Sequence, residues 1–218
     1  MKLYSLPHSP YAARVRMQVR LDNLAVEVLP PPLPLRSEAF LERFPLGKVP
    51  VLELADGSAI AESWAIMEYL AESQVSGGSS LVPDGALERA QMRMLARYAD
   101  LHLAANALFP MFRAAMGGGD VDAGAMADTL RGELGKGERL LASFESGRPL
   151  NLGDVALVPT IFYLQELAPS IGMENPLSGF PGLKAWWQWV NSFDAIRDTV
   201  EEVRVAYRAV VENLAAKA

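Results

Sequence analysis

The sequence divides into a small α/β domain over residues 1–75 and an all-helical domain over residues 86–218, joined by a linker at 76–85. Three observations predict this division. Strand-like and helix-like patterns alternate through the first 75 residues. A Ser-Gly-Gly-Ser-Ser run between Val75 and Pro83 then interrupts them with a flexible composition. Beyond it strand signals nearly vanish, and apolar residues recur at helical spacing.

Lys2–Leu6 alternates apolar and polar side chains and is stopped by Pro7, which reads as a short strand. Tyr11–Leu21 sets Val15, Met17, Val19 and Leu21 among arginines, an amphipathic helix. Ala25–Leu29 is a second strand, ended by the prolines at 30, 31, 32 and 34. Ser37 is placed to cap a helix running to Phe44. Pro50 opens a hairpin of Val51–Leu54 and Ser58–Ala61 about Asp56-Gly57, and a helix from Ser63 to about Ser73 closes the unit. In the second part Leu87–Met116 reads as one long helix ended by Gly117-Gly118-Gly119. Asp120–Ser146 follows, although Gly132, Gly135 and Gly137 each weaken a helix by up to about 1 kcal/mol against Ala. Asp154–Leu167, Leu183–Ser192 and Ile196–Ala216 complete the helical set.

Composition excludes several classes of function. Half of the residues are hydrophobic, so a packed core is expected and a disordered chain is not. The net charge of −6 argues against binding nucleic acid, where affinity comes from neutralising phosphates. There is no cysteine, which removes disulfides, thiolate metal sites and a cysteine nucleophile. No window reaches the length of apolar sequence that a membrane span needs, and the first residues lack the pattern of a secretory signal. A soluble, cytoplasmic protein is expected. His8 and His102 are the only histidines and neither stands in a metal-ligand spacing. No GxSxG, GxGxxG or GxxxxGK[ST] motif occurs. The Trp186, Trp187 and Trp189 cluster reads as core.

Four short segments carry local chemistry. In Leu150-Asn151-Leu152-Gly153-Asp154-Val155, Asn151 and Asp154 have the spacing of a capping box and Leu150 and Val155 that of a hydrophobic staple, a folding signal. Gly47-Lys48-Val49-Pro50-Val51 places a proline at a strand start. Ala61-Glu62-Ser63 lies where a strand meets a helix, so a hydroxyl, a free N–H and a positive helix end converge; Ser63 either caps the helix or helps to hold a carboxylate. Ser9-Pro10-Tyr11 follows the first strand and opens the first helix, the edge at which open α/β sheets bind ligands, with capping again the plain alternative.

Taken in order, these segments resemble the cytosolic glutathione S-transferases. The resemblance is carried by Ser9-Pro10-Tyr11 with Arg14-Val15-Arg16, by Pro45-Leu46-Gly47-Lys48-Val49-Pro50-Val51-Leu52, and by Asp56-Gly57 with Glu62-Ser63-Trp64-Ala65-Ile66-Met67-Glu68-Tyr69-Leu70. Asn151-Leu152-Gly153-Asp154-Val155-Ala156-Leu157-Val158-Pro159 completes it. It spans essentially the whole chain. It implies a thioredoxin-like α/β N-terminal domain that binds glutathione, then an all-α C-terminal domain contributing the electrophile site, assembled as a homodimer. The Ser-Pro-Tyr segment is similar to the serine-type classes, such as tau, zeta and theta, although a zeta member usually shows Ser-Ser-Cys here.

The resemblance further implies a cis peptide before Pro50, with the Val49 backbone pairing the cysteinyl part of glutathione. Glu62 and Ser63 would hold the γ-glutamyl group, with Lys48 near the peptide. Arg36 or Arg43 would meet the glycyl carboxylate. Ser9 would be the catalytic residue, donating to the sulfur of a thiol whose ordinary pKa is near 8.5. Arg14 would add positive potential, with Tyr11 the rival donor. The electrophile would lie between the domains, with Tyr11, Leu108, Phe112, Met116 and Tyr207 as candidates. The activity implied is transfer of glutathione to a small hydrophobic electrophile without a metal. A glutathione-dependent isomerase of the maleylacetoacetate or maleylpyruvate type, or a non-catalytic ligand-binding member, is the alternative.

Overall fold

The computed structural model describes residues 1–73, 79–116 and 122–216. The glycine-rich boundary at 76–80 falls largely, and the run Gly117-Gly118-Gly119 wholly, outside the described residues. The chain forms two compact units, Met1–Val82 with Asp194–Ala218, and Pro83–Phe193.

In the first unit, strands β1 (Lys2–Tyr4), β2 (Glu27–Leu29), β3 (Val51–Glu53) and β4 (Ala59–Ala61) form one sheet in the order β2-β1-β3-β4. β1 pairs in parallel with β2, and β3 is antiparallel to both β1 and β4. Each strand is one or two residues shorter than the apolar pattern suggested. Helix α1 (Pro10–Leu21) connects β1 to β2, α2 (Glu38–Arg43) connects β2 to β3, and α3 (Ser63–Glu72) follows β4. α1 packs on α3, burying Val15, Met17, Ile66 and Met67. Tyr4, Phe40, Phe44 and Val51 make a second cluster, with the Phe40 and Phe44 rings 5.0 Å apart. The last helix, α9 (Asp194–Ala215), packs along α1 and therefore belongs to this unit.

The second unit is helical: α4 (Ala86–Tyr98), a π-helical stretch (Ala99–Leu108), α5 (Phe109–Ala115), α6 (Ala123–Ala142), α7 (Leu152–Leu167), a 3-10 turn (Ala168–Ile171) and α8 (Pro181–Val190). The run expected as a single helix over Leu87–Met116 is thus continuous but changes its winding in the middle. α7 is apolar on every side and buried almost throughout, which suits the centre of an all-helical layer. α4 crosses it closely at Gly153, where an added Cβ would lie 2.3 Å from the Met92 carbonyl oxygen. The glycines of α6 do not end it. At Gly137 an added Cβ would lie 2.3 Å from the Tyr98 hydroxyl, so the missing side chain makes room for that ring. Of the tryptophan cluster only Trp186 is core; Trp187 and Trp189 are half-buried.

Candidate active site

The register of the sheet gathers the site. Leu29, Tyr4, Val51 and Ala61 stand in one row across the four strands. The segments that continue from that row are the loop after β1 with Ser9, the Val49–Pro50 peptide before β3, and Glu62-Ser63 after β4. All three leave the sheet at the same edge.

Ser9 is the N-cap of α1, its Oγ accepting from the Ala12 N–H at 3.2 Å. Capping leaves the hydroxyl's own proton available to a ligand. The loop before it is tied down: Ser9 N–H donates to the Leu6 carbonyl at 3.0 Å. Arg16, itself buried, donates to Ser5 Oγ at 2.7 Å and to the Leu6 and Pro7 carbonyls at 3.3 and 2.8 Å. His8 lies half-buried in this loop, and burial, reinforced by the Arg16 guanidinium, holds its imidazole below the usual histidine range. Tyr11 is half-buried, and the Arg14 guanidinium sits 4.8 Å from its ring centroid. Arg14 is wholly buried, so it shapes the site through Tyr11 and offers no surface of its own to a substrate.

The Val49–Pro50 peptide is cis, with Pro50 buried, Val49 half-buried and Lys48 exposed. Just before it, Gly47 has φ +64°, and a Cβ there would lie 2.8 Å from Leu41 Cδ2 and 3.6 Å from Arg36 Cγ. Arg36 therefore stands beside this loop. It is exposed, and no ion pair engages it among the described residues. Arg43 is taken: its guanidinium binds the Glu53 carboxylate, which also accepts from the Tyr4 hydroxyl, and it lies 5.1 Å from the Phe44 ring centroid.

At α3, Ser63 is the first helical residue, not the cap. The N-cap is Glu62, exposed and at φ 68°, and no side chain caps the first turn. Ser63 is 4% exposed and makes no hydrogen bond through its hydroxyl within the described chain. The amides of that turn and the hydroxyl beside them are thus donors without an internal acceptor, in the positive field of a helix start.

Of the electrophile candidates, Leu108 is core, 1% exposed, and drops out of the set. Phe112 is half-buried on α5 with its ring 5.1 Å from that of Tyr163, and Met116 is 71% exposed. Tyr207 is half-buried on α9. Sequence reasoning gave Arg16 no role of its own, because its hold on the loop joins positions eleven residues apart and leaves no local signature. Among the described residues no cluster of His, Asp and Glu is placed to hold a metal ion, and no helix is long and apolar enough to cross a membrane.

A four-stranded mixed sheet with a capping serine, a cis-proline and an open helix start at one edge, in a chain that continues into an all-helical unit, is the architecture that the resemblance to the glutathione S-transferases implies. The comparisons agree. Residues 3–77 match the glutathione S-transferase N-terminal domain and residues 127–194 its C-terminal domain. A maleylacetoacetate isomerase of Rhizobium meliloti is 33% identical over 175 residues, 73% of this chain and 79% of that protein. A probable glutathione S-transferase of Zea mays is 41% identical over 99 residues, 42% of each chain. The crystal structure of glutathione transferase F7 from Populus trichocarpa superposes with a TM-score of 0.75 at 26% identity, covering 93% of this chain and 98% of that one. The chain belongs to the glutathione S-transferase family.

Proposed function

We propose that the protein binds glutathione at this sheet edge and activates its thiol for attack on a small hydrophobic electrophile. The observation that carries the reading is the open start of α3. Ser63 and the first-turn amides are donors awaiting a carboxylate, and the γ-glutamyl end of glutathione supplies one, with Glu62 facing its amino group. The Val49 backbone then pairs the cysteinyl part, Lys48 lies along the peptide, and Arg36, exposed and beside Gly47, takes the glycyl carboxylate.

Chemistry falls to Ser9. The chain has no cysteine of its own, and we rest thiolate formation on electrostatic stabilisation. A hydroxyl donating to sulfur at the start of α1, in the field of that helix, supplies it. Each unit of pKa depression needs about 1.4 kcal/mol, within reach of one charge-assisted hydrogen bond and a helix dipole. On the first unit, Tyr11 is the surface we assign to the electrophile. The test is titration of bound glutathione by thiolate absorbance. Ser9→Ala should raise the bound thiol's pKa and lower turnover with affinity nearly intact, and the same result from Tyr11→Phe alone would move the role to Tyr11.

A second reading, glutathione-dependent isomerisation, is favoured by the identity to the Rhizobium protein. Turnover of a cis-enoic diketo diacid without consumption of glutathione would select it. Retention on immobilised glutathione with turnover of neither substrate type would select a non-catalytic member. We also infer a homodimer, since Leu87, Met94 and Leu101 stand 67%, 45% and 51% exposed along one helical run. A monomer mass by light scattering at micromolar concentration would refute it. A cytoplasmic location, where glutathione is the thiol buffer, completes the reading.

A further inference from the structure

The loop that carries Ser9 leaves the sheet early. β1 ends at Tyr4, and Ser5 keeps one last bond to the neighbouring strand, its N–H donating to the Leu29 carbonyl at 2.8 Å. Beyond that point the Leu6 and Pro7 carbonyls need donors of another kind. Arg16 supplies them from α1, about two turns past the cap of that same helix. Its Nη1 donates to Ser5 Oγ at 2.7 Å and to the Leu6 carbonyl at 3.3 Å. Its Nη2 donates to the Pro7 carbonyl at 2.8 Å. The Leu6 carbonyl also accepts from Ser9 N–H at 3.0 Å, so one oxygen joins the guanidinium to the backbone of the serine.

A guanidinium suits this task and an ammonium does not. It is a flat fork of five N–H donors that meets several oxygens at fixed angles, whereas lysine donates from one point on a flexible stem. The Arg16 side chain is 6% exposed, and Glu202 of α9, itself paired with Arg20, stands 3.8 Å from its Nε. A buried charge is costly unless it is paired and hydrogen-bonded, and this one is both. A chain fixed at Ser5, Leu6 and Pro7 leaves Ser9 little freedom to move. That matters to a hydroxyl whose work is to donate to sulfur, because a misplacement of about 1 Å can cost about a hundredfold in rate. We infer that Arg16 is the positioning residue for Ser9, acting through the loop and not on the sulfur itself. This rests on the role proposed for Ser9 and adds the group that holds its hydroxyl in place.

Titration of bound glutathione by thiolate absorbance tests it in the full chain, with affinity read by calorimetry and folding by urea unfolding. The variants are Arg16→Lys, Ser5→Ala, Ser9→Ala and each of the first two combined with Ser9→Ala. Arg16→Lys keeps the charge and loses the fork, so the bound thiol's pKa should rise by about half a unit or more, about a threefold loss of thiolate. Glutathione affinity, read at a pH where the bound thiol is protonated, should stay within about twofold, since no residue assigned to its carboxylates has changed. Ser5→Ala removes one acceptor of three and should shift the thiol the same way by less. In the Ser9→Ala background Arg16→Lys should add nothing, because the two residues act as one unit. Thiol acidity unmoved by Arg16→Lys while Ser9→Ala raises the pKa would overturn this role and leave that of Ser9 standing. Additive shifts in the double variant would overturn it as well, because Arg16 would then act without Ser9. Ser9→Ala without effect on the thiol, or no glutathione bound by the wild type, would overturn the reading of Ser9 and the role of Arg16 with it. Should unfolding show that Arg16→Lys has not folded, Ser5→Ala and its double variant decide by the same outcomes.

Discussion

The starts of α7 and α3 are built in opposite ways. At α7 three amides of the helix start are answered from within. Asn151 Oδ1 accepts from the Gly153 and Asp154 amides at 2.9 and 3.2 Å, and Asp154 accepts from the Asn151 amide at 3.0 Å. The same carboxylate takes both Arg148 nitrogens at 2.6 and 2.7 Å and the Trp186 indole at 2.8 Å, wholly buried. At α3 the cap residue points a carboxylate outward from a left-handed backbone, a conformation that costs about 1–3 kcal/mol, and nothing caps the turn. A helix start closed by its own side chains is a folding device. One held open at a cost in stability is where an external anion fits.

The largest effect expected is at the closed end. Asp154→Ala leaves Arg148, the Trp186 N–H and the Asn151 amide without their acceptor, and breaking such a buried arrangement costs about 3–5 kcal/mol. Urea unfolding should show that loss, while glutathione affinity per folded molecule stays unchanged. A fall in affinity without a fall in stability would reverse the roles given to the two helix starts.

At the open end the expectation is the mirror image. Ser63→Ala should cost about 1.5–3 kcal/mol of glutathione binding by calorimetry, the worth of a hydrogen bond to a charged group. Unfolding free energy should move by less than about 0.5 kcal/mol, since no internal bond is lost. If stability fell and affinity held, Ser63 would be a structural residue after all.

Ser9 stands between these extremes, because it caps α1 and still has a proton to give. Ser9→Ala should cost about 0.5–2 kcal/mol of stability as a lost cap, in addition to its effect on the bound thiol. Thermal unfolding with and without glutathione separates the two contributions. A variant that loses stability but keeps wild-type thiol acidity would leave Ser9 with the cap alone.

How much of this was legible in the sequence follows from the range of each interaction. The α7 box was readable because both partners lie within four residues and use fixed side-chain geometry. The order of elements was readable for the same reason. The openness of α3 was not: Ser63 follows a strand and precedes a helix as any cap would, and only the backbone at Glu62 shows that the cap is one residue earlier. The choice of Arg36 over Arg43 needed Glu53, ten residues from Arg43 and on a different element. The π-helical winding between Ala99 and Leu108 leaves no mark in apolar spacing distinct from a long helix. The grouping of α9 with α1 depends on contacts such as Arg20 with Thr199, 179 residues apart.

The smallest effect concerns the loop that carries Ser9 toward α1. Burial, with the Arg16 guanidinium adding to it, holds the His8 imidazole below the ordinary histidine range, so it enters the folded state neutral at pH 7. The unfolded chain, with a pKa near 6.5, takes up that proton first as pH falls. The stability tied to neutral His8 is therefore complete above about pH 6.5 and is lost as pH drops through the lower folded value. Other groups titrate over the same range, which makes the difference between wild type and His8→Asn the quantity to read. Relative to the variant, wild type should be less stable at pH 5 than at pH 8 in urea unfolding, by a small margin because the ring is only half-buried. Should the difference stay constant, His8 titrates as it does in water. Should it change sign, protonated His8 has found an acceptor in the folded loop, and the start of α1 would resemble the closed design of α7 more than the open one of α3.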